Sequence, residues 1–535
     1  MAGFAPDRVR PFFGPLLCRG VLIVAALLGA GCATIRRDVP VVPSTAWDRP
    51  AETALGREYA RELSAHPGQS GFYVLDDGRE AFLARAALAE NAERTLDLQY
   101  YHVAEDATAD ILILRLIRAA QRGVRVRLLL DDLYAARRNF DIATLATHPN
   151  IEVRLFNPFE TRGSMGLGRL LEFLGNTARL NRRMHNKLWI ADNALAITGG
   201  RNLGDQYFEA LADKNFADLD LLIAGPVVGE LSRGFDAYWN SESAIPAEAF
   251  LPGPPEENAF ADFEATLIAH LQAFRDTPYA KAVRDTPLAR YARAGTFPLT
   301  PAPAEAFYDR PHVAGEPASK EPASLVQTRV RPLIESARRE VVLISPYFIP
   351  SDRGVDMLGK LVAQGVRVRV LTNSLASTDV PAVHAGYARQ RGKLLARGIE
   401  IHEFKPAPAK EPTRAGLIGS SRASLHAKAV IVDRSTVVVG SMNLDPRSRS
   451  HNTEVAVFAQ STLLGERLGT LFDESILPSH AFRVTLATPG NENSALVWLG
   501  EQDGKAQRYT SEPLAGFWRR VAAGVMGLFA PDDML

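Results

Sequence analysis

The chain has 535 residues, 46% hydrophobic and 23% charged, which suits two or three folded domains and argues against wholesale disorder. Lys plus Arg and Asp plus Glu both number 61, and a net charge of zero argues against a protein that holds a long polyanion by its bulk field. The two cysteines, Cys18 and Cys32, both fall near the N-terminus, so the rest of the chain carries neither a disulfide framework nor a cysteine metal site.

Residues 1–32 read as a signal: Arg8, Arg10 and Arg19, an apolar run from Val21 to Leu28, then Gly29-Ala30-Gly31-Cys32. The run is shorter than the roughly 20 residues an untilted span needs. A Cys directly after small residues resembles a bacterial lipoprotein cleavage site, with Cys32 as the acylated first residue. An uncleaved anchor and an ordinary signal are the alternatives. Export to the cell envelope, with membrane association, is the expectation. Residues 33–52 are dotted with Pro and read as a tether.

The first folded unit spans 53–245. Helical periodicity over 78–93 leads into an alternating strand at 95–101, a helix at 107–121 and a strand at 123–130. Asp131-Asp132 ends that strand and reads as a cap at the cleft rather than a metal pair. A second unit, 321–486, repeats the order with a strand at 341–345, a helix at 353–363 and a strand at 365–371. Gly123-Val-Arg-Val-Arg-Leu-Leu returns as Gly365-Val-Arg-Val-Arg-Val-Leu, 242 residues later (365 − 123). Between the units, 246–320 is rich in Pro and Ala, with a helix near 258–275, and reads as an insertion over the cleft. The segment 374–414, with a helix near 381–397, reads as the rim of the substrate entrance. The extension 487–535 ends in Phe517-Trp518-Arg519-Arg520, which suits either a helix at a membrane interface or one packed on the core. Tyr100, Tyr101, Tyr347 and Phe348 follow strands; core packing is the default for them and lining the cleft the alternative. His102, His384 and His402 lack ligand spacing and read as packing or surface residues.

One string occurs twice in the same register. His185-x-Lys187, Asp192 and Gly199-Gly-Arg-Asn202 return as His426-x-Lys428, Asp433 and Gly440-Ser-Met-Asn443, offset by 241 residues (426 − 185 and 443 − 202). On a strand, residues two apart share a face, so each His and Lys point into one space. A turn after the Asp and a return strand bring Gly-x-x-Asn beside them. Paired His, Lys and Asn without a carboxylate cluster make a site for a phosphate group, not for a metal ion. Lysines neutralise phosphoryl oxygens, one imidazole attacks phosphorus and the other protonates the departing alkoxide.

The paired His-x-Lys-x4-Asp-x6-Gly-Gly/Ser-x-Asn resembles the signature of the phospholipase D superfamily. Asn181–Lys187, Gly199–Asn202, Ser345–Pro350, Thr372–Leu375 and Ser424–Lys428 are similar to its bacterial cardiolipin synthase branch, most of all to the third type within it. The resemblance implies an α/β fold of two duplicated phospholipase D-type domains, each a mixed sheet flanked by helices, related by a pseudo-twofold with the active site at the interface. It implies an acid after each motif: Glu454 for His426, and Asp218, ahead of Asp220, for His185. Asp192 and Asp433 are then structural. Gly200 lacks the hydroxyl that Ser441 supplies in the second half, and Arg201 is the candidate to bind the phosphate in its place. His185 is favoured as nucleophile and His426 as acid then base, with swapped roles as the alternative. The implied activity joins two membrane phospholipids, phosphatidylethanolamine and phosphatidylglycerol, into cardiolipin without a cofactor. A hydrolase releasing phosphatidic acid is the nearest competitor. A nuclease is disfavoured by export and neutral charge, and an inert binding module by two intact His-Lys-Asn sets.

Overall fold

The computed structural model describes residues 35–36, 38–135, 139–160, 167–250, 256–294, 297–312, 324–406 and 424–529. The expected signal, with Cys32, and most of the Pro/Lys-rich piece at 405–412 lie outside them.

Local chemistry starts and stops the repeated elements. Asp77 accepts from the Arg79 amide and opens the helix Gly78–Asn91, and Asp106 accepts from Ala109 and opens Ala107–Gln121. In the second half Ser351 accepts from Gly354 and opens Asp352–Ala363. Gly123 and Gly365 follow helix ends at φ +94° and +88°, a left-handed conformation that only glycine adopts freely. The duplicated Gly-Val-Arg-Val-Arg is therefore a helix stop followed by a strand.

Each half builds its own sheet. In the first, Thr95–Tyr100 runs parallel to Arg125–Asp131, which runs parallel to Ile151–Phe156. On its other side Thr95–Tyr100 is antiparallel to Leu188–Ala191, followed by Leu195–Gly199 and Asp220–Ala224. The second half repeats this with Glu340–Ile344 parallel to Arg367–Asn373 and then Glu400–Phe404. Ala429–Val432, Thr436–Gly440 and Val455–Gln460 complete it on the antiparallel side. Strands Leu496–Gln502 and Lys505–Tyr509 prolong this second sheet beyond Ala481–Leu486, so part of the C-terminal extension belongs to the fold.

The motif aspartates have the structural place expected of them. Asp192 and Asn193 sit at φ +55° and +51°, Asp433 and Arg434 at +52° and +51°, as a two-residue hairpin turn requires. The Asp192 carboxylate accepts the amides of Glu93, Arg94 and Thr95, and Asp433 accepts those of Arg338, Arg339 and Glu340.

The described helices of the insertion pack on the first half. Helices Ala259–Arg275, Pro278–Arg284 and Pro287–Ala294 place Leu267, Leu271, Val283 and Leu288 in its core. After them Thr300–Ala302 joins the first sheet beside Ser70–Leu75, and Ala304–Tyr308 joins the second beside Val455–Gln460. Only Pro303 separates these strands, so the insertion stitches the two sheets together.

The halves share one apolar core, in which Met184, Leu188, Ile190 and Ala196 meet Leu425, Ala427, Ala429 and Ile431, all nearly inaccessible. Burying a large aliphatic side chain contributes about 1.5–3 kcal/mol, so this contact fixes how the two motifs face each other.

Candidate active site

The histidines are held from the opposite repeat. The strands begin at Leu188 and Ala429, so His-x-Lys precedes each strand instead of lying within it. Just before each His, two residues pair in parallel with the other half: Arg183–Met184 with Asn452–Thr453, and Ser424–Leu425 with Phe216–Ala217. The His185 amide donates to Thr453 O at 3.0 Å, and the His426 amide to Ala217 O at 2.8 Å. The next residues along those partner strands are Glu454 and Asp218.

The acids are consequently crossed. His185 Nδ1 lies 2.9 Å from Glu454 Oε2, and His426 Nδ1 lies 2.6 Å from Asp218 Oδ2. This reverses the pairing expected from sequence order, in which each acid served the His of its own half. Asp218 is still the acid that reaches a His, since Asp220 is taken up by Arg85 at 2.9 Å. With Nδ1 of both rings occupied, Nε2 of each is the nitrogen left for a reacting phosphorus or oxygen.

Two expected phosphate contacts are corrected. Arg201 is fully buried, and its guanidinium donates to the carbonyls of Leu75, Asp76, Tyr207 and Asp218. It braces the Asp218 strand from behind and does not replace a missing hydroxyl. Ser441 is buried too; its Oγ donates to Glu454 Oε2 at 2.5 Å and accepts from the Val455 amide at 3.0 Å. Ser448 Oγ donates to the other Glu454 oxygen at 2.7 Å. Both hydroxyls therefore orient the acid. A Cβ at Gly200 would lie 2.0 Å from Asp218 Oδ1, so the shorter acid occupies the space a side chain would fill. Gly200→Ala should displace Asp218 and cut phosphatidyl transfer by about a hundredfold, while Ser441→Ala, losing the bonds to Glu454 and from the Val455 amide, should cost about 2–3 kcal/mol. Comparing both rates with thermal melting checks this.

The lysines and asparagines line the same space. Lys187 Nζ donates to His185 O at 2.6 Å, and Lys428 Nζ to His426 O at 2.5 Å with His426 Nδ1 at 3.1 Å. Each ammonium has further protons for a phosphoryl group. Asn202 donates to the Tyr207 hydroxyl at 3.0 Å and accepts from the His102 amide at 3.2 Å. The backbone amide of Asn443 donates to Ser448 Oγ at 3.1 Å. Aromatic rings complete the walls: Tyr101 packs edge-on to His185 at 5.1 Å, and Tyr207 and Phe216 flank His426 at 5.4 and 4.9 Å. Tyr101 thus takes the cleft-lining alternative, whereas Tyr100 and Phe348 are core.

The comparisons with known proteins agree with this geometry. A family described as "Cardiolipin synthase, PLD-like domain" matches residues 86–239 and 330–476. The chain is 40% identical to cardiolipin synthase C of Escherichia coli over 475 residues, covering 88% of this chain and 98% of that one. The chain belongs to this phospholipase D-like cardiolipin synthase family. A cardiolipin synthase of a Geobacillus species is 26% identical over 408 residues, covering 75% of this chain and 65% of that one. The crystal structure of phosphatidylserine synthase from Haemophilus influenzae shares the fold, with a TM-score of 0.54 at 12% identity, covering 89% of this chain and all of that one.

In this cardiolipin synthase family member the two half-sites differ electrically. Burial pushes the Asp218 carboxyl up, but His426, Lys428 and Arg201 outweigh it and hold it at about 2. Burial wins at Glu454 and raises it to about 7, against Lys187, Ser441 and Ser448. Burial also lowers Lys187 to about 7, although Glu454 opposes the shift. Burial, Lys187 and Lys428 together take His185 well below the usual imidazole range, which favours its neutral, nucleophilic form. His426 is lowered by burial and Lys428, with Asp218 opposing.

The partners of two supporting residues carry no sequence signal. Asp131 accepts from Arg183 at 3.0 Å and from the Met184 amide at 2.9 Å, anchoring the stretch before His185. Asp309, in the insertion, accepts the Glu454 amide at 2.9 Å. Asp131 was legible as a cap at the cleft but its partners were not, and Asp309 could be found only by knowing that its segment reaches Glu454. Among the described residues, no group of three or more His, Cys, Asp or Glu is arranged to hold a metal ion.

Proposed function

We propose that this enzyme forms cardiolipin by phosphatidyl transfer, with phosphatidylethanolamine and phosphatidylglycerol as its lipids and a phosphohistidine as the intermediate. The observation that carries the proposal is the pair of buried His–carboxylate couples, one from each direction across the repeat interface. His185 Nε2 attacks phosphorus, the bond to the headgroup oxygen breaks, and His426 gives that oxygen its proton. The acceptor hydroxyl then returns a proton to His426 as it attacks the phosphohistidine, releasing His185. Lys187, Lys428, Asn202 and Asn443 stabilise the charge on the phosphoryl oxygens throughout. Glu454 and Asp218 orient the rings. The same intermediate opened by water would yield phosphatidic acid. Purified protein given phosphatidylethanolamine with and without phosphatidylglycerol should make cardiolipin only from the pair; phosphatidic acid as sole product rejects transfer.

Membrane attachment belongs to the same reading. No helix among the described residues is long and apolar enough to cross a membrane. The C-terminal helix Phe517–Phe529 buries Ala523 but leaves Phe517, Trp518, Val521, Val525 and Met526 exposed, with Trp518 at 78%. An apolar face with an interfacial Trp and the adjacent Arg520 suits the headgroup boundary of an anionic bilayer. Replacing Phe517 and Trp518 with Ala should weaken binding to anionic vesicles about tenfold or more in a flotation assay, at unchanged melting temperature. Unchanged flotation rejects this role. Cys32 is the proposed lipid attachment point, and the mass of the mature N-terminus decides it.

A further inference from the structure

The wall beside His426 carries a carboxylate that the chemistry above leaves unused. Asn373 fixes the segment that bears it: Asn373 Oδ1 accepts the Leu425 amide at 2.9 Å and its Nδ2 donates to Leu425 O at 2.9 Å. Leu425 immediately precedes His426. Ser377 Oγ donates to Asn373 Oδ1 at 2.9 Å, and the Thr378 amide to Ser374 O at 3.0 Å. From the C-terminal helix, Arg519 donates to Leu375 O at 2.6 Å and to Thr378 O. The next residue is Asp379, which is exposed, yet its carboxylate accepts the Tyr347 hydroxyl at 2.9 and 2.8 Å. A surface aspartate held by a tyrosine on a segment clamped from both sides is preorganised.

Its segment is bonded through Asn373 to the residue before His426, and its charge acts on the groups there. The Asp379 carboxylate raises both His426 and Lys428 through space, against the burial that lowers them. Across the cleft the opposite sign prevails: Arg447, bonded to Asn181 Oδ1 at 3.1 Å, acts on His185 and lowers it. Arg447 and Asp379 therefore act with opposite sign on the two histidines.

In-line displacement puts the leaving oxygen on the face of phosphorus opposite the nucleophile. With His185 attacking and His426 protonating, the departing headgroup must lie on the His426 side. We propose that Asp379 and Tyr347 form a binding site for the ammonium of the departing headgroup, selecting an amine-bearing phospholipid as donor. This rests on the reading that His185 is the nucleophile in phosphatidyl transfer. The carboxylate pairs with the ammonium, and the Tyr347 hydroxyl holds the carboxylate in place. The phosphate of an acceptor phosphatidylglycerol gains nothing from Asp379, so the site distinguishes donor from acceptor.

The test uses the full chain on mixed vesicles, with phosphatidylglycerol held constant and the donor varied among phosphatidylethanolamine, its N-acetylated form and phosphatidylglycerol alone. Asp379→Asn should raise the KM for phosphatidylethanolamine about five- to tenfold, as loss of a partly screened ion pair implies. It should leave the KM for the N-acetylated donor, which has no ammonium to pair, unchanged. Wild type should discriminate against the N-acetylated donor, and Asp379→Asn should not. Tyr347→Phe should fall between the two. Equal loss with every donor, or discrimination as sharp as in wild type, overturns the site. No transfer from any lipid by the wild type overturns the proposed function itself.

Discussion

His185→Ala should form no phosphoenzyme and should lose phosphatidyl transfer by about 10⁴-fold or more, as removal of a covalent nucleophile does. The ring is held by a backbone bond to Thr453 and by Glu454, so shortening the side chain removes the attacking nitrogen without disturbing the Arg183–Met184 pairing that positions it. His426→Ala should behave differently. Its first step survives with a leaving group that needs no proton, such as p-nitrophenolate, but the intermediate then accumulates because nothing activates the acceptor hydroxyl. Rapid-quench labelling separates the two variants. A labelled His185→Ala protein would show that the roles are swapped.

The crossed acids give the second large effect. Glu454→Gln should slow formation of the phosphoenzyme from every donor, and Asp218→Asn should slow its breakdown and, only where the leaving group needs a proton, its formation, each by about a hundredfold or more. The Glu454 effect should depend on pH. Its carboxyl is raised to about 7, so below that pH it takes up a proton and no longer accepts the His185 Nδ1 proton as an anion. Formation should therefore decline as pH falls through about 7 in the wild type, and this limb should vanish in Glu454→Gln. Asp218, held at about 2, stays ionised throughout that window and should contribute no limb. Rates of the first step between pH 5 and 9 check both statements.

Much of this was legible in the sequence because it is local. Helix stops at Gly123 and Gly365 and the hairpin aspartates follow from short-range turn chemistry and sit where that chemistry puts them, while the two His-x-Lys strings lie just ahead of the strands expected to carry them. The crossing was not legible. Sequence order offers each His the acid of its own repeat, but two-residue pairings between repeats carry Thr453-Glu454 to His185 and Ala217-Asp218 to His426. Such short pairings leave no periodic trace. Gly200 shows the same limit: it looked like a missing hydroxyl, whereas its bare Cα makes room for Asp218. Arg201 looked like a phosphate-binding cation and is a buried brace, because burial of an Arg is decided by carbonyls remote in the chain.

The most direct test follows the two half-reactions separately in Glu454→Gln and Asp218→Asn, using a radiolabelled phosphatidyl donor and peptide mapping of the trapped intermediate. The label should sit on His185 in both proteins, accumulating slowly in Glu454→Gln and persisting in Asp218→Asn. Label on His426, or slow formation in Asp218→Asn with normal formation in Glu454→Gln, would contradict a single asymmetric site in which each histidine is completed by the acid of the opposite repeat.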